Sequence, residues 1–518
     1  MTILHSKNLV ILNPLYLLLL LTISLTPISS DSSQPFYTPT ESIALDCGYS
    51  VSSTTLDGRQ WVADTGINFL SPLDQKRNKS IATSAETQSS QASSVPYLTA
   101  RISLTDFTYV FPVTAGQKFI RLHFYPSQYP KFEPSKAFFS VKANQFTLLS
   151  NFSASLTAAS LGSDYLFKEF CINVEDEDQT LNITFTPSST QSDAYAFING
   201  IEIVSMPTNL YYTPADPPYG ITFIGHEQNP IHIENNTALE TVHRLNVGGR
   251  EISPMLDTGM FRSWLKDDDY VSNIGALPVN NSFNLIFTKL PSYTAPAEVY
   301  MTARSMGNNK TVNKNYNLTW NLPLDSGFMY LLRLHFCEFQ VEVTKQSDRE
   351  FTIFIANQTA ESQADVIVWA GRNHVPVYRD YAVLMVSQAR DQKKHNLSIA
   401  LHPNPDSQTL YSDAILNGIE VFKISDYSGN LAGLNPDSIP PPASPSTPQP
   451  AKTENRKTTP VATVVCGVLS GVIAVSVLGF LIFRRRRRVN SRGSSNAGWG
   501  SISYVATNHT EMPYRSCS

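Results

Sequence analysis

The sequence predicts an all-β protein: two tandem β-sandwich domains, a Pro-rich stalk and one transmembrane helix. Three observations carry this reading. Short segments alternate apolar and polar residues with period two, as half-buried strands do. The same ordered set of motifs occurs twice, at offsets of 203 to 218 residues. One uncharged apolar run of 23 residues, Val461–Phe483, precedes a block of arginines.

Residues 1–30 read as a secretory signal. His5 and Lys7 precede an apolar run bracketed by Pro14 and Pro27, and Ile28-Ser29-Ser30 closes it with small residues. Residues 36–206 form the first predicted domain and 238–425 the second, joined by a Pro- and Tyr-rich segment, 207–237. The first copy carries Tyr97-Leu-Thr-Ala-Arg101, Phe119-Ile-Arg-Leu-His-Phe124 and Phe197-Ile-Asn-Gly-Ile-Glu202. The second carries Tyr300-Met-Thr-Ala-Arg304, Leu331-Leu-Arg-Leu-His-Phe336 and Ile415-Leu-Asn-Gly-Ile-Glu420. Ile120, Leu122 and Phe124 alternate with Arg121 and His123, and Leu332, Leu334 and Phe336 with Arg333 and His335. Asn199-Gly200 and Asn417-Gly418 are turn dipeptides ahead of each domain's last strand. Many short strands with turn signals and no long amphipathic helix predict sandwiches.

Residues 426–460 read as a Pro/Ser/Thr-rich stalk, whose composition favours extended chain over a packed core. Val461–Phe483 is long enough to span a bilayer. Arg484, Arg485, Arg486, Arg487 and Arg488 follow directly, as a stop-transfer block on the cytoplasmic side. The expected topology is type I at the plasma membrane, with 31–460 outside and a short basic tail, 484–518, inside. Gly467 and Gly471 form a small-x-x-x-small pair suited to helix packing in the span.

Composition excludes several classes. Hydrophobic residues at 42% and aromatics at 11% exclude wholesale disorder. Five cysteines in 518 residues exclude a disulfide scaffold. The tail's seven arginines and Glu511 carry +6 and Lys7 carries +1, so the net −4 leaves −11 on residues 31–460. Such an exterior attracts cations and disfavours polyanions, nucleic acid included. Nine Asn-x-Ser/Thr acceptors lie in that exterior: Asn78, Asn151, Asn182, Asn235, Asn280, Asn309, Asn317, Asn357 and Asn396. Used acceptors must face solvent. Asn508 fits the triplet but falls in the cytoplasmic tail.

These paired motifs, with Gly248-Gly-Arg-Glu-Ile-Ser-Pro254 and Asp257-Thr-Gly-Met-Phe-Arg-Ser-Trp264, resemble the plant malectin-like receptor kinases of the FERONIA/THESEUS type. The resemblance covers about 36 to 425 and the order of stalk and span. It implies a malectin fold in each copy and a plasma-membrane receptor that monitors the cell wall. It also implies a small basic secreted peptide as ligand, a glycolipid-anchored co-receptor and binding of pectin or another wall glycan. The acidic exterior suits a cationic peptide better than pectin. Family members continue into a serine/threonine kinase. Here 35 residues follow the span, with no kinase signature. Three readings stay open: a receptor that signals through a partner kinase, a truncated receptor-like serine/threonine kinase, or a wall-binding lectin that does not signal.

No catalytic residue, metal site or cofactor is expected. The Asp-Thr-Gly triplets at Asp64 and Asp257 could form an aspartic-protease dyad only at equivalent repeat positions. One lies three residues after Trp61, and the other seven before Trp264. His226 and His232 are six apart with Pro230 between, not four apart on a helix as a zinc protease requires. Glu202 and Glu420 read as a repeated solvent-facing strand position, and His123 and His335 as outward-facing structural histidines. Asp257, Arg262 and Trp264, beside the joint, are the ligand-binding candidates, because Arg and aromatics are typical of binding hot spots; domain-joint packing is their alternative. Cys47 and Cys171 are the only extracellular within-domain pair and are expected to form a disulfide, leaving Cys337 unpaired.

Overall fold

The computed structural model describes residues 37–438 apart from 56–57, 66–68, 78, 178, 215–219, 227–228, 273–275, 387–392 and 406–408. The signal segment, most of the stalk, the apolar span with Gly467 and Gly471, the block Arg484–Arg488 and Asn78 lie outside the described residues.

The alternation in the Gly116–Phe124 strand places Ile120, Leu122 and Phe124 on one face, all fully buried. Burial of each such side chain contributes about 1.5–3 kcal/mol. They pack against a four-stranded sheet ordered Phe107–Pro112, Thr180–Pro187, Phe139–Ala143, Phe146–Phe152. The second copy repeats this layer as Leu318–Asp325, Lys394–Pro403, Phe351–Ile355, Gln358–Ala364. Leu332, Leu334 and Phe336 pack against it. Each copy is therefore a two-layer sandwich, as the alternation predicts. The longest described helix, Ala154–Leu161, begins at Ser153, whose side chain accepts from Leu156 N, and ends at Gly162 with φ 62°.

The other layer is shared. Leu166–Val174 of the first copy pairs with Leu239–Asn246 of the second, and this joins the inner strands of both into one twelve-stranded sheet. Its central order is Met329–Phe336, Gly418–Ile424, Leu239–Asn246, Leu166–Val174, Gly116–Phe124, Gly200–Ser205, Ser42–Asp46. The copies are thus fused edge to edge, and both belong to one compact unit. A third cluster, including Phe119, Tyr211, Tyr212, Met260 and Phe422, covers the sheet's outer face at the seam.

Candidate functional site

The covered seam determines where the Arg and His side chains go. Arg121 and His123 share the strand face opposite the sandwich core. This face was expected to meet solvent, yet Arg121, Glu202, Arg333, His335 and Glu420 are each at most 3% exposed. The reason is the fusion: Leu210–Tyr212 and Met260–Arg262 lie across that face, which a sandwich standing alone would present to water.

Each copy builds the same polar cluster there. His123 takes the Tyr97 hydroxyl at Nδ1 (2.9 Å) and Glu202 at Nε2 (2.8 Å), with Trp61 edge-on at 5.5 Å. His335 has Tyr300 at 2.9 Å, Glu420 at 3.0 Å and Trp264 at 5.6 Å. A neutral imidazole satisfies both contacts, donating from Nε2–H and accepting the phenol at Nδ1. Burial lowers the His335 pKa, which favours that neutral form. Below each cluster Asp64 holds Arg101 (2.5 and 3.0 Å), as Asp267 holds Arg304 (2.6 and 2.9 Å). These aspartates each follow the tryptophan by three residues. Asp257 thus has no counterpart in Asp64, and the triplets form no dyad. Gly48 and Gly248 sit at matching turns with φ of 84° and 68°. A Cβ there would lie 2.2 Å from the Ala100 oxygen or 2.0 Å from the Ala303 oxygen.

The two clusters are wired together by alternating charges across the shared sheet. Arg121 lies between Glu202 (3.2 Å) and Glu169 (2.6 Å). Arg244 lies between Glu169 and Glu420, 2.9 Å from each. Arg333 continues the row to Asp380 at 2.7 Å. Burial acts to raise the Glu169 pKa, but Arg244 and Arg121 outweigh it and hold the value at about 2. For Glu202 and Glu420 burial is likewise overcome, by the histidine bond and the arginines, and both lie well below the usual carboxylate range. The covering segment caps the row: Arg121 donates to Met260 O (2.8 Å), Arg333 to Leu210 O (2.8 Å) and Tyr211 Oη to Glu420 (2.7 Å).

The three ligand-binding candidates are part of this cap. Asp257 is 2% exposed, and Arg262 and Trp264 are 0%. Arg262 donates to Asp257 (2.9 Å), Tyr211 Oη (3.0 Å) and the Thr294 carbonyl (2.8 Å). The structure brings them together but leaves no face for a ligand, so joint packing replaces direct capture. Beside the cap lies an accessible cleft of about 520 Å³, lined by Tyr211, Tyr212, Arg333, Tyr378, Arg379 and Asp380 among others. Arg333 stacks on Tyr378 at 3.7 Å from the ring centroid. Period-two alternation sets Arg333 on the face opposite the sandwich core, but the cleft arises from the joint's path, which no local signal encodes.

The expected Cys47–Cys171 disulfide is not formed, and Cys47, Cys171 and Cys337 are all free and buried. The strand order explains this. Leu166–Val174 and Ser42–Asp46 are separated by two intervening strands, roughly 14 Å at the usual spacing. Disulfides require Cα atoms about 4.4–6.8 Å apart. The thiols also face different cores, Cys47 the sandwich interior and Cys171 the seam. All eight described acceptor asparagines, from Asn151 to Asn396, are exposed.

Two fused sandwiches with a duplicated Tyr–His–Glu cluster define a tandem malectin-like fold. The malectin-like domain family matches residues 45–424. The chain belongs to that family, and its relatives include receptor-like kinases of the FERONIA and ANXUR type. It is 43% identical over 506 residues to the receptor-like protein kinase FERONIA of Arabidopsis thaliana, covering 95% of this chain and 54% of that one. It is 37% identical over 470 residues to ANXUR1 of the same plant, covering 89% and 52%. The chain thus spans about half the length of these relatives, and the match is to their ectodomains. The crystal structure of the plant receptor-like kinase FER superimposes with a TM-score of 0.69 at 45% identity, over 76% of this chain and 99% of that one. FER in the complex of the peptide RALF23 with FER and LLG2 gives 0.68 at 45% identity, over 77% and 99%.

Proposed function

We propose that residues 31–460 are the extracellular part of a single-pass plasma-membrane receptor that captures a small basic secreted peptide together with a glycolipid-anchored co-receptor, in cell-wall or growth signalling. The observation that carries this reading is the FER complex with RALF23 and LLG2, a structure 45% identical to this chain over the fused ectodomain. The net −11 of the exterior supports it, because an acidic surface speeds encounter with a cationic peptide. The same charge opposes polygalacturonate, so a wall glycan is the less favoured ligand. Glycans on the exposed acceptors would keep the outer surface soluble. Signal output passes to a kinase, either a partner's or one continuous with this protein as in its relatives. The size of the deglycosylated protein in plant membranes separates those two cases. The ligand reading is tested by mixing the ectodomain with the co-receptor, with and without a basic peptide. A complex that forms only with peptide supports it, and a complex indifferent to peptide removes it.

A further inference from the structure

The chain does not leave the second copy freely. After Gly418–Ile424 it turns at Asp426, whose Oδ1 accepts from Ser428 N (2.9 Å) and Asn430 N (3.0 Å). It then runs onto the first copy. Thr147 N donates to Gly429 O at 3.0 Å, and Leu431 N donates to Thr147 O at 2.9 Å. Residues 429–431 thereby add a parallel segment to the edge of the Phe146–Phe152 strand. Leu431 is fully buried, inside the first copy's core. Asn435 takes Ser153 N at 2.8 Å and donates to Asn151 O at 2.6 Å. The second copy grips the same segment, with Lys423 Nζ on Leu431 O (3.2 Å) and Lys393 Nζ on Asn435 O (2.9 Å) and Asp437 (2.6 Å). The matching edge strand of the second copy, Gln358–Ala364, has no added segment among the described residues.

We propose that Asp426–Asp437 is a releasable strap. It ties the start of the stalk to the first copy, so that tension on the chain beyond residue 438 is borne by the Phe146–Phe152 edge before it reaches either sandwich. The anchoring is slight for so long a segment. Leu431 is its one fully buried large side chain, whereas Tyr427 and Leu434 are 105% and 72% exposed. Segments with few buried apolar contacts open well before the global transition. Peeling the strap bares a strand edge able to pair with another extended segment, and empties the Leu431 pocket. None of this depends on which ligand the ectodomain takes.

The test uses the full chain in detergent micelles, tethered by its two ends in optical tweezers. Release of twelve residues adds roughly 4 nm of extended chain. We expect a reversible step of that size before the main unfolding, lost when Thr147→Cys and Asn430→Cys are oxidised together and restored by reductant. Cys47, Cys171 and Cys337 are buried and will not compete, and Cys466 and Cys517 are replaced by Ser throughout. A trace without the step, or a step that survives oxidation, overturns the strap. Hydrogen exchange on the unsubstituted chain provides a second check. The Thr147 and Leu431 amides should exchange together, at least tenfold faster than those of Ile183 and Phe185 in the same sheet. Equal rates would make the segment an integral part of the core and overturn the proposal.

Discussion

Asp46 and Asn246 occupy the same place in the two copies, and they differ by one ionisable group. Each lies two residues before the turn glycine, and each accepts from a threonine hydroxyl, Thr99 at 3.0 Å or Thr302 at 2.6 Å. Burial and the nearby Asp64 raise the Asp46 pKa to about 7, against a bond from Thr99 that lowers it. The second copy meets the same environment with a neutral amide.

A carboxyl whose folded pKa is raised contributes stability that is lost as pH climbs from its unfolded value, 3.8, to about 7. The loss is up to about 4 kcal/mol at 1.36 kcal/mol per unit. Glu169 and Glu240 act in the opposite direction, because their folded values are near 2 against 4.5. Their contribution is complete above pH 4.5 and lost as pH falls towards 2. His243 and His335, which burial lowers from 6.5, cost stability as pH falls below that value, so the Asp46 share of the wild-type profile is read from a variant. Asp46→Asn should raise the Tm at pH 7 and change little at pH 4. Thermal melts across that range check both statements.

Arg244 contacts a carboxylate of each copy, so its removal tests the seam. Arg244→Met leaves Glu420 with one arginine fewer in a fully buried position. Breaking a buried pair in this way costs about 3–5 kcal/mol. The double variant Arg244→Met/Glu420→Gln should recover part of that loss. Denaturant melts of the four proteins give the coupling, and strictly additive losses would mean that the pair is not coupled.

The turn glycines Gly48 and Gly248 should tolerate no side chain. Gly248→Ala forces a Cβ to within 2.0 Å of the Ala303 oxygen at φ 68°, and Gly48→Ala repeats the clash in the first copy. Gly327 has φ 89° but nothing within 4 Å. Its replacement by Ala should cost only about 1–2 kcal/mol, the strain of a left-handed backbone. We expect Gly327→Ala to be secreted and Gly48→Ala and Gly248→Ala to be retained, as measured by yield from secreting cells.

The exposed acceptors predict glycans on the outer sheets. Asn182, on Thr180–Pro187, and Asn396, on Lys394–Pro403, both face solvent. Enzymatic deglycosylation should lower the apparent mass, and Asn182→Gln should remove one glycan without loss of Tm. Mass spectrometry of tryptic peptides checks site use, with Asn508 expected to be bare.

Much of this was legible in the sequence, because a duplication is its own internal control. Equating Trp61 with Trp264 removed the protease dyad, and the structure then sets Asp267, not Asp257, at the place of Asp64. The alternation in Phe119–Phe124 assigned the core face correctly. It could not say what covers the other face, because that depends on Leu166–Val174 pairing with a strand about seventy residues further on. For this reason Glu202, Glu420 and the two histidines were expected in water and are buried. Cys47 and Cys171 failed as a pair for a related reason, since spacing along a chain does not reveal how many strands lie between two positions. Arg262 carried the composition of a binding hot spot, but a guanidinium surrounded by Asp257, Tyr211 and Thr294 is a structural tie. Arg262→Lys should accordingly lower the Tm while leaving ligand affinity of the folded fraction unchanged.

The most direct test of the central claim is calorimetric titration of the glycosylated ectodomain with a basic secreted peptide in the presence of the co-receptor, set beside the same titration with oligogalacturonide. We predict saturable peptide binding that depends on the co-receptor and weakens with salt, and little heat from the oligosaccharide. Saturable binding of the oligosaccharide with none of the peptide would contradict a peptide receptor and leave a wall-binding lectin in its place.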